Sequence, residues 1–420
     1  MTPIVDRTKL GRAVVVSTMI PPASERDLGG TQRRMGLFLK VLASRFEQVE
    51  VVHIVPPALM ARALDSSTLD REQSAFWGVP VRIHLVDRRT RRENVWNHYG
   101  AGLFAVTEQH YFRSYGGDAL AQAIRGHLHP APDFILIDHL NAMLPILRGR
   151  MRPSRLLLDL NDVEHKLRIS AVRTKLKSPL QFAALMQVPS LVVAEFQAVQ
   201  RSAATTVCSQ VDRAHLRRLG FGPKVEVLPN AVALPPNPPG LVRNPTVLFL
   251  GACDYQPNFD AAERLARRIW PVIRERAPEA RLILAGKGTN RLPSRSEGIA
   301  GIEYRGFVPD LTALYAETRV VCCPLVAGSG TRLKLVEAAA YARPMVSTRL
   351  GAEGLDFADG IDILLRETDR EIGDACAFLL CDDASSIRLG NASRAKMAVL
   401  YDSRLIERQI DALVAKIVGR

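Results

Sequence analysis

Cysteine is scarce in this chain and badly spaced for cross-linking. The six cysteines among 420 residues are Cys208, Cys253, Cys322, Cys323, Cys376 and Cys381, and none falls in a C-x-x-C pair. Cys322 and Cys323 are neighbours in an apolar, strand-like run, so their side chains point to opposite faces. The pattern argues against a disulfide framework and fits buried thiols in the cytosol. Long apolar runs are missing as well. No segment reaches the roughly 18 consecutive apolar residues of a membrane-spanning helix. The apolar run 13–20 is broken by Ser17 and Thr18 and stops at Pro21-Pro22, which reads as a first strand and not as a signal peptide. Aromatic residues make up 6% and are not interleaved with basic ones. With no zinc motif either, nucleic acid is not an expected partner.

Acidic residues are outnumbered, 43 against 56 lysines and arginines, for a net charge of +13. By itself that charge admits nucleic acid, an anionic membrane surface or an acidic substrate as partner, and a solvated basic surface accounts for it equally well. The remaining balance, 47% hydrophobic and 24% charged, is that of an ordinary globular protein.

Short apolar runs alternate with stretches of helical periodicity along the whole chain. Strands are expected at 13–16, 49–55, 79–86, 134–137, 156–160, 205–208 and 225–228. A second series is expected at 246–250, 281–285, 302–304, 320–323, 344–347 and 363–365. Between the two series, residues 234–240 read Leu-Pro-Pro-Asn-Pro-Pro-Gly, which continues neither helix nor central strand. The expected helices include 31–44, 258–276, 331–341 and a final amphipathic one at 403–417. The fold class is therefore α/β, with two Rossmann-like, doubly wound parallel sheets, each covered by helices on both faces. The expected division is 1–234, a linker at 235–240, and 241–402, with 403–420 crossing back onto the first domain. Ligands of such sheets bind at the carboxyl ends of strands, so the cleft between two such domains is the default site.

The strongest local signal is Gly328-Ser-Gly-Thr-Arg-Leu-Lys-Leu-Val-Glu337. It follows an expected strand and opens an expected helix. Free N–H groups and the helix dipole there favour an anion such as phosphate. Arg332 and Lys334 in the first turn oppose that dipole, a mismatch that a bound anion would relieve. Glu337, about one turn on, can accept hydrogen bonds from ribose hydroxyls. Gly286-Lys287-Gly288-Thr289 lacks the upstream glycine of a nucleotide-triphosphate loop. No G-x-G-x-x-G opens a helix after a strand, against a dehydrogenase.

The stretch 247–365 resembles glycosyltransferase family 4, whose members have the GT-B fold. The resemblance is carried by Phe249-Leu250-Gly251, Leu282-Ile283-Leu284-Ala285-Gly286, Tyr304-Arg305-Gly306-Phe307-Val308, the Gly328 to Glu337 segment, Arg343-Pro344-Met345-Val346-Ser347 and Gly351-Ala352-Glu353-Gly354. Weaker matches are Gly29-Gly30-Thr31, Ser209-Gln210-Val211-Asp212 and Leu228-Pro229-Asn230. The resemblance implies a retaining transfer of a hexosyl or related group from a nucleoside-diphosphate sugar to a hydroxyl acceptor, with no metal or other cofactor. It implies that Glu337 holds the ribose, that Gly330, Thr331 and Arg332 bind the diphosphate, that Ser329 stands at the donor sugar, and that Phe307 and Val308 lie against the base. Gly29, Gly30 and Gly251 would face the donor, and His139 the reacting sugar.

Two departures from the family stand out. Ser329 occupies the place of the first glutamate of the family's pair, and no Arg or Lys follows Gly251, where the chain reads Ala252-Cys253-Asp254. The phosphate charge must then rest on Arg332, Lys334 or Lys287. Both departures resemble a bacterial subgroup active in exopolysaccharide assembly. Asp159, Asp162 and Glu164 follow a strand and are acceptor-side candidates, or else loop caps. His127, His129, Asp138 and His139 match no standard metal spacing. Lys166, Arg168, Arg173, Lys175 and Lys177 precede an apolar stretch, which suits either a peripheral contact with an anionic membrane or a solvated face. The expected location is the cytoplasm, with that membrane contact at its inner face left open. An epimerase or phosphorylase on the same fold, and a non-catalytic polymer-binding protein, are the competing readings.

Overall fold

The computed structural model describes residues 9–24, 29–60, 66–88, 117–173, 185, 188–328 and 330–419. Ser329, Lys175 and Lys177, and the side chain of Arg173, lie outside the described residues. The chain forms two compact units, Met1–Leu228 with Glu407–Arg420, and Pro229–Ile406.

The first unit is built on seven strands: β1 (Leu10–Ser17), β2 (Phe46–Val55), β3 (Arg82–Asp87), β4 (Phe134–Asp138), β5 (Leu156–Asn161), β6 (Ala204–Val207) and β7 (Val225–Val227). They pair in parallel in the order β3-β2-β1-β4-β5-β6-β7. The second unit carries β8 (Thr246–Leu250), β9 (Arg281–Ala285), β10 (Ile302–Gly306), β11 (Val320–Cys323), β12 (Met345–Ser347) and β13 (Leu364–Leu365), parallel in the order β10-β9-β8-β11-β12-β13. Every strand expected from the sequence is present, and β8, β9 and β11 agree residue for residue. This is the GT-B type of α/β architecture. Central strands such as Val320–Cys323 are buried along their whole length, which is why they read as unbroken apolar runs.

Each order reverses direction once, between β1 and β4 and between β8 and β11. The connections on either side of that point leave in opposite directions and open a crevice at the carboxyl ends. Both candidate sites lie there.

Two helices differ from expectation. The stretch 258–276 is helical from Gln256 but contains a π turn, Leu265–Ile269, before Trp270–Arg276. Pro271 has no N–H for the carbonyl four residues back. The turn before it widens, and the Trp270 N–H reaches Leu265 O, five residues back. Trp270 itself is buried in the core and donates from Nε1 to Ala300 O at 2.9 Å. The helix expected at 331–341 is Leu333–Ala340, capped by Arg332 in extended conformation, so Thr331 belongs to the loop.

The final helix, Ser403–Val418, buries Ile410, Leu413, Val414 and Ile417, an i, i+3, i+4, i+7 stripe. Glu407, Asp411 and Lys416 pair with Lys40, Arg45 and Glu226 of the first unit. These surface pairs contribute about 1 kcal/mol each at most, so the apolar stripe holds the helix.

One close approach governs the second sheet. Gly286 has φ +130°, and a Cβ there would lie 2.1 Å from Gly251 O. Gly286→Ala should therefore destabilise the second unit by about 3 kcal/mol or more, because backbone, not a movable side chain, stands in the way. Thermal unfolding measures this; an unchanged midpoint would mean that the two loops are not packed as described.

Candidate functional site

In the second unit, β8 ends at Gly251 and β11 leads through Gly328 and Gly330 into the helix Leu333–Ala340. Gly328 and Gly330 have φ of +112° and +77°, which side chains rarely adopt. Asn230, about a hundred residues earlier in the chain, donates from Nδ2 to Thr331 Oγ1 at 2.8 Å and pins the loop. Arg332 is buried and folds back so that one of its terminal nitrogens donates to Gly330 O at 2.9 Å.

Lys334 is the residue that the tertiary structure singles out. Its Nζ donates to Asn258 Oδ1 at 2.7 Å and sits 4.4 Å from the centre of the Phe249 ring. A Cβ on Gly251 would fall 2.7 Å from that Nζ, so the glycine leaves the lysine its room. Burial lowers the lysine's pKa from its ordinary value, with Arg332 acting the same way and Glu337 opposing. Among the described residues Lys334 has no ion-pair partner. A desolvated cation at a helix N-terminus is costly by itself and is relieved by an arriving anion. Glu337 is buried at 7% exposure, one turn further along.

Lys287 does not join this group: it is exposed and lies 3.8 Å from Asp254, which Arg291 also approaches at 3.4 Å. Phe307 and Val308 are half-buried after β10, where the Gly306 N–H donates to Thr289 Oγ1 at 2.9 Å.

In the first unit the parallel register aligns a row of buried polar residues across the carboxyl ends: His53, Ser17, Asp138, Asp159 and Thr206. The row is not evident in the sequence: Ser17 and Asp138 close their strands, while His53, Asp159 and Thr206 lie within one or two residues of the ends of theirs. Ser17 Oγ donates to Asp138 Oδ2 at 2.7 Å, and Thr206 Oγ1 to Asp159 Oδ1 at 2.7 Å. Arg34, from the helix Gly30–Arg45, grips Asp159 with two bonds of 2.6 and 2.7 Å and donates to Leu228 O at 2.7 Å. Asp159 is 2% exposed. It was expected on the acceptor side; its carboxylate instead faces inward as the counter-ion of a buried arginine. Asp162, on the loop beyond it, and Glu164, at the start of the helix Glu164–Arg173, are half-buried. Burial raises the Glu164 pKa, with His139 and Arg168 opposing. His165, the second residue of that helix, is buried and bonded to Glu195 and, at 2.7 Å, to His215.

His139 starts the helix His139–Arg148 with φ +69°. Its Nδ1 lies 2.8 Å from Asp138 Oδ1 and its Nε2 3.3 Å from Asn161 Nδ2. Burial pulls its pKa down, but Asp138, Asp159 and Asp162 more than offset this and raise it to about 9. Gly29 and Gly30 form the entry to the helix Gly30–Arg45, with the Gly29 N–H held by Gln32 Oε1 at 3.0 Å. Among the described residues no group of three or more His, Cys, Asp or Glu is placed to hold a metal ion, and no helix is long and apolar enough to cross a membrane.

Residues 244–382 match the family model for glycosyl transferases group 1. The match covers the second unit's sheet and the whole Gly251–Lys334–Glu337 group. A curated relative, phosphatidyl-myo-inositol mannosyltransferase of Mycolicibacterium smegmatis, is 30% identical over 179 residues, 41% of this chain and 46% of the relative. The matched part thus spans about half the length of that relative. Among solved structures, sucrose-phosphate synthase from Thermosynechococcus elongatus is similar with a TM-score of 0.69 at 16% identity, covering 97% of this chain and 99% of that one. Anabaena HepE in complex with UDP and glucose is similar with a TM-score of 0.64 at 14% identity, covering 96% and 99%. Both show the shared fold.

Two stability predictions follow from the first unit's polar row. Asp159→Asn leaves Arg34 buried without its counter-ion and should cost about 3–5 kcal/mol in urea unfolding; a loss under 1 kcal/mol would contradict the clamp. His53 is buried, and its Nδ1 is 2.8 Å from Met19 O. Burial lowers its pKa to about 4, against weaker raising by Met19 and Asp138. Folded protein keeps this ring neutral while the unfolded chain takes up a proton below about pH 6.5. Its stabilising effect is full above that pH and is lost progressively toward pH 4, about 2 kcal/mol of it between pH 7 and pH 5. His53→Gln should flatten the pH dependence of unfolding over that window by this amount; parallel curves would refute the assignment.

Proposed function

We propose that this protein is a glycosyltransferase that moves a sugar from a nucleoside-diphosphate sugar to a hydroxyl acceptor, with retention of configuration and without a metal. The observation that carries the reading is the desolvated Lys334 ammonium, unpaired among the described residues, at the N-terminus of a helix that follows a glycine-rich loop. In the reaction the bond from the anomeric carbon to the diphosphate breaks, a bond to the acceptor oxygen forms, and the proton of that hydroxyl passes to the departing diphosphate oxygen. The main electrostatic task is to hold the departing diphosphate charge. Lys334, Arg332 and the free N–H groups of Gly330, Thr331 and the helix start meet that charge as preorganised donors. Glu337 accepts from the ribose hydroxyls, and Phe307 and Val308 lie against the base. His139 serves the reacting sugar, and Asp162 and Glu164 remain as acceptor-side groups.

The UDP in the HepE complex makes a UDP-sugar the first donor to test. The mannosyltransferase relative is named for a phosphatidyl-myo-inositol acceptor, which is consistent with a lipid-linked saccharide as acceptor here and with a basic surface that rests on an anionic membrane. A role in exopolysaccharide assembly agrees with such an acceptor.

Titration calorimetry with UDP, GDP, ADP and dTDP in EDTA should show one diphosphate bound. Lys334→Met should weaken it roughly 10- to 100-fold, the worth of a lost charge-assisted bond, and Glu337→Ala should weaken it as well. If the intact protein binds none of the four, the donor site is not where we place it.

A further inference from the structure

Two residues of the first unit that carry side chains yet adopt a backbone conformation usual for glycine stand side by side. His139 directly follows β4 and Asn161 closes β5, with φ of +69° and +57°. Positive φ costs a side-chain-bearing residue about 1 kcal/mol or more, and histidine and asparagine tolerate it better than most. The two backbones thereby bring His139 Nε2 to 3.3 Å from Asn161 Nδ2.

The other partners of that amide are a hydroxyl and a thiol. Asn161 Nδ2 lies 3.4 Å from Thr31 Oγ1, and Cys208 Sγ donates to Asn161 Oδ1 at 3.2 Å. Burial raises the Cys208 pKa, so it stays a thiol. Hydroxyl and thiol each donate or accept. The amide can therefore turn by half a revolution without losing either partner, and His139 alone decides its orientation. On the ring, Nδ1 faces the Asp138 carboxylate and keeps its proton, so Nε2 is the atom that titrates. A bare Nε2 requires the amide nitrogen; a protonated Nε2 requires the amide oxygen.

We propose that Asn161 is the positioning residue for His139, its amide turning to offer nitrogen to the neutral ring and oxygen to the protonated one. The ring then stays fixed in place while it takes up or releases a proton at Nε2. The charged groups that act on it are Asp138, Asp159, Asp162 and Glu164, with Arg34 neutralising Asp159. The inference rests on reading His139 as the sugar-facing ring only for its use in transfer, not for the amide's response.

The experiment is an NMR pH titration of the full chain with labelled histidine and asparagine between about pH 6 and 10, with His139→Gln and Asn161→Gly assigning the signals. Glycine keeps the positive φ, so the second variant folds without new strain. The Asn161 side-chain amide signals should move with the same midpoint as the His139 ring. In Asn161→Asp, which offers oxygen alone and also tolerates this backbone, the His139 midpoint should rise by about one pH unit or more. Amide signals that stay put across the His139 titration, or an unchanged midpoint in Asn161→Asp, overturn the proposal. Sugar transfer from the bound donor tests the other reading separately: Asn161→Asp should shift the pH profile of kcat in step with the ring. If the NMR response holds but His139→Gln transfers sugar at the unaltered rate, His139 is not at the sugar, and Asn161 still positions the ring.

Discussion

Because every strand in both sheets runs parallel, every loop that follows a strand leaves at the same edge. This one constraint gathers residues from distant parts of the chain into two places. In the first unit it sets His53, Ser17, Asp138, Asp159 and Thr206 in a line at matched register. In the second it brings the ends of β8 and β11 together beside the point where the strand order reverses. Helix starts follow those ends, so backbone N–H groups converge where side-chain charge also collects.

Buried charge is handled differently in the two units. In the first, the Arg34 guanidinium is matched by Asp159 through two hydrogen bonds, and Thr206 donates one more to the same carboxylate. The charge of the arginine is thereby paired within the unit. In the second, Lys334 donates to a neutral amide and lies over an aromatic face, and among the described residues no carboxylate forms an ion pair with it. The cation is held in position but its charge is not cancelled. A complete ion pair is a structural element; an incompletely compensated cation at a helix N-terminus is a binding element.

Glycine determines how closely these groups approach. A side chain at Gly251 would occupy the position of the Lys334 ammonium, and one at Gly286 would meet the Gly251 carbonyl. The loop after β8 carries no arginine or lysine just after Gly251, and the cation beside that glycine comes from the helix after β11. The sequence departure and the tertiary position of Lys334 are two aspects of one arrangement.

The sequence by itself determined the strands, their parallel character and the loop that opens the helix before Glu337. These follow from local properties: apolar runs buried on both faces, glycines where φ is positive, and proline between the two series. The helix start was legible to within two residues, Leu333 against an expected Thr331, because cap geometry depends on the loop that precedes it. Tertiary structure alone decided which charges meet. Lys334 finds Asn258 across 76 residues, and Arg34 finds Asp159 across 125. Asp159 thereby turns inward, Lys287 is left outside on Asp254, and Asn161 comes to face His139. Such partnerships depend on which strand ends become neighbours in a sheet, and strand order is a property of the whole fold that no local pattern encodes.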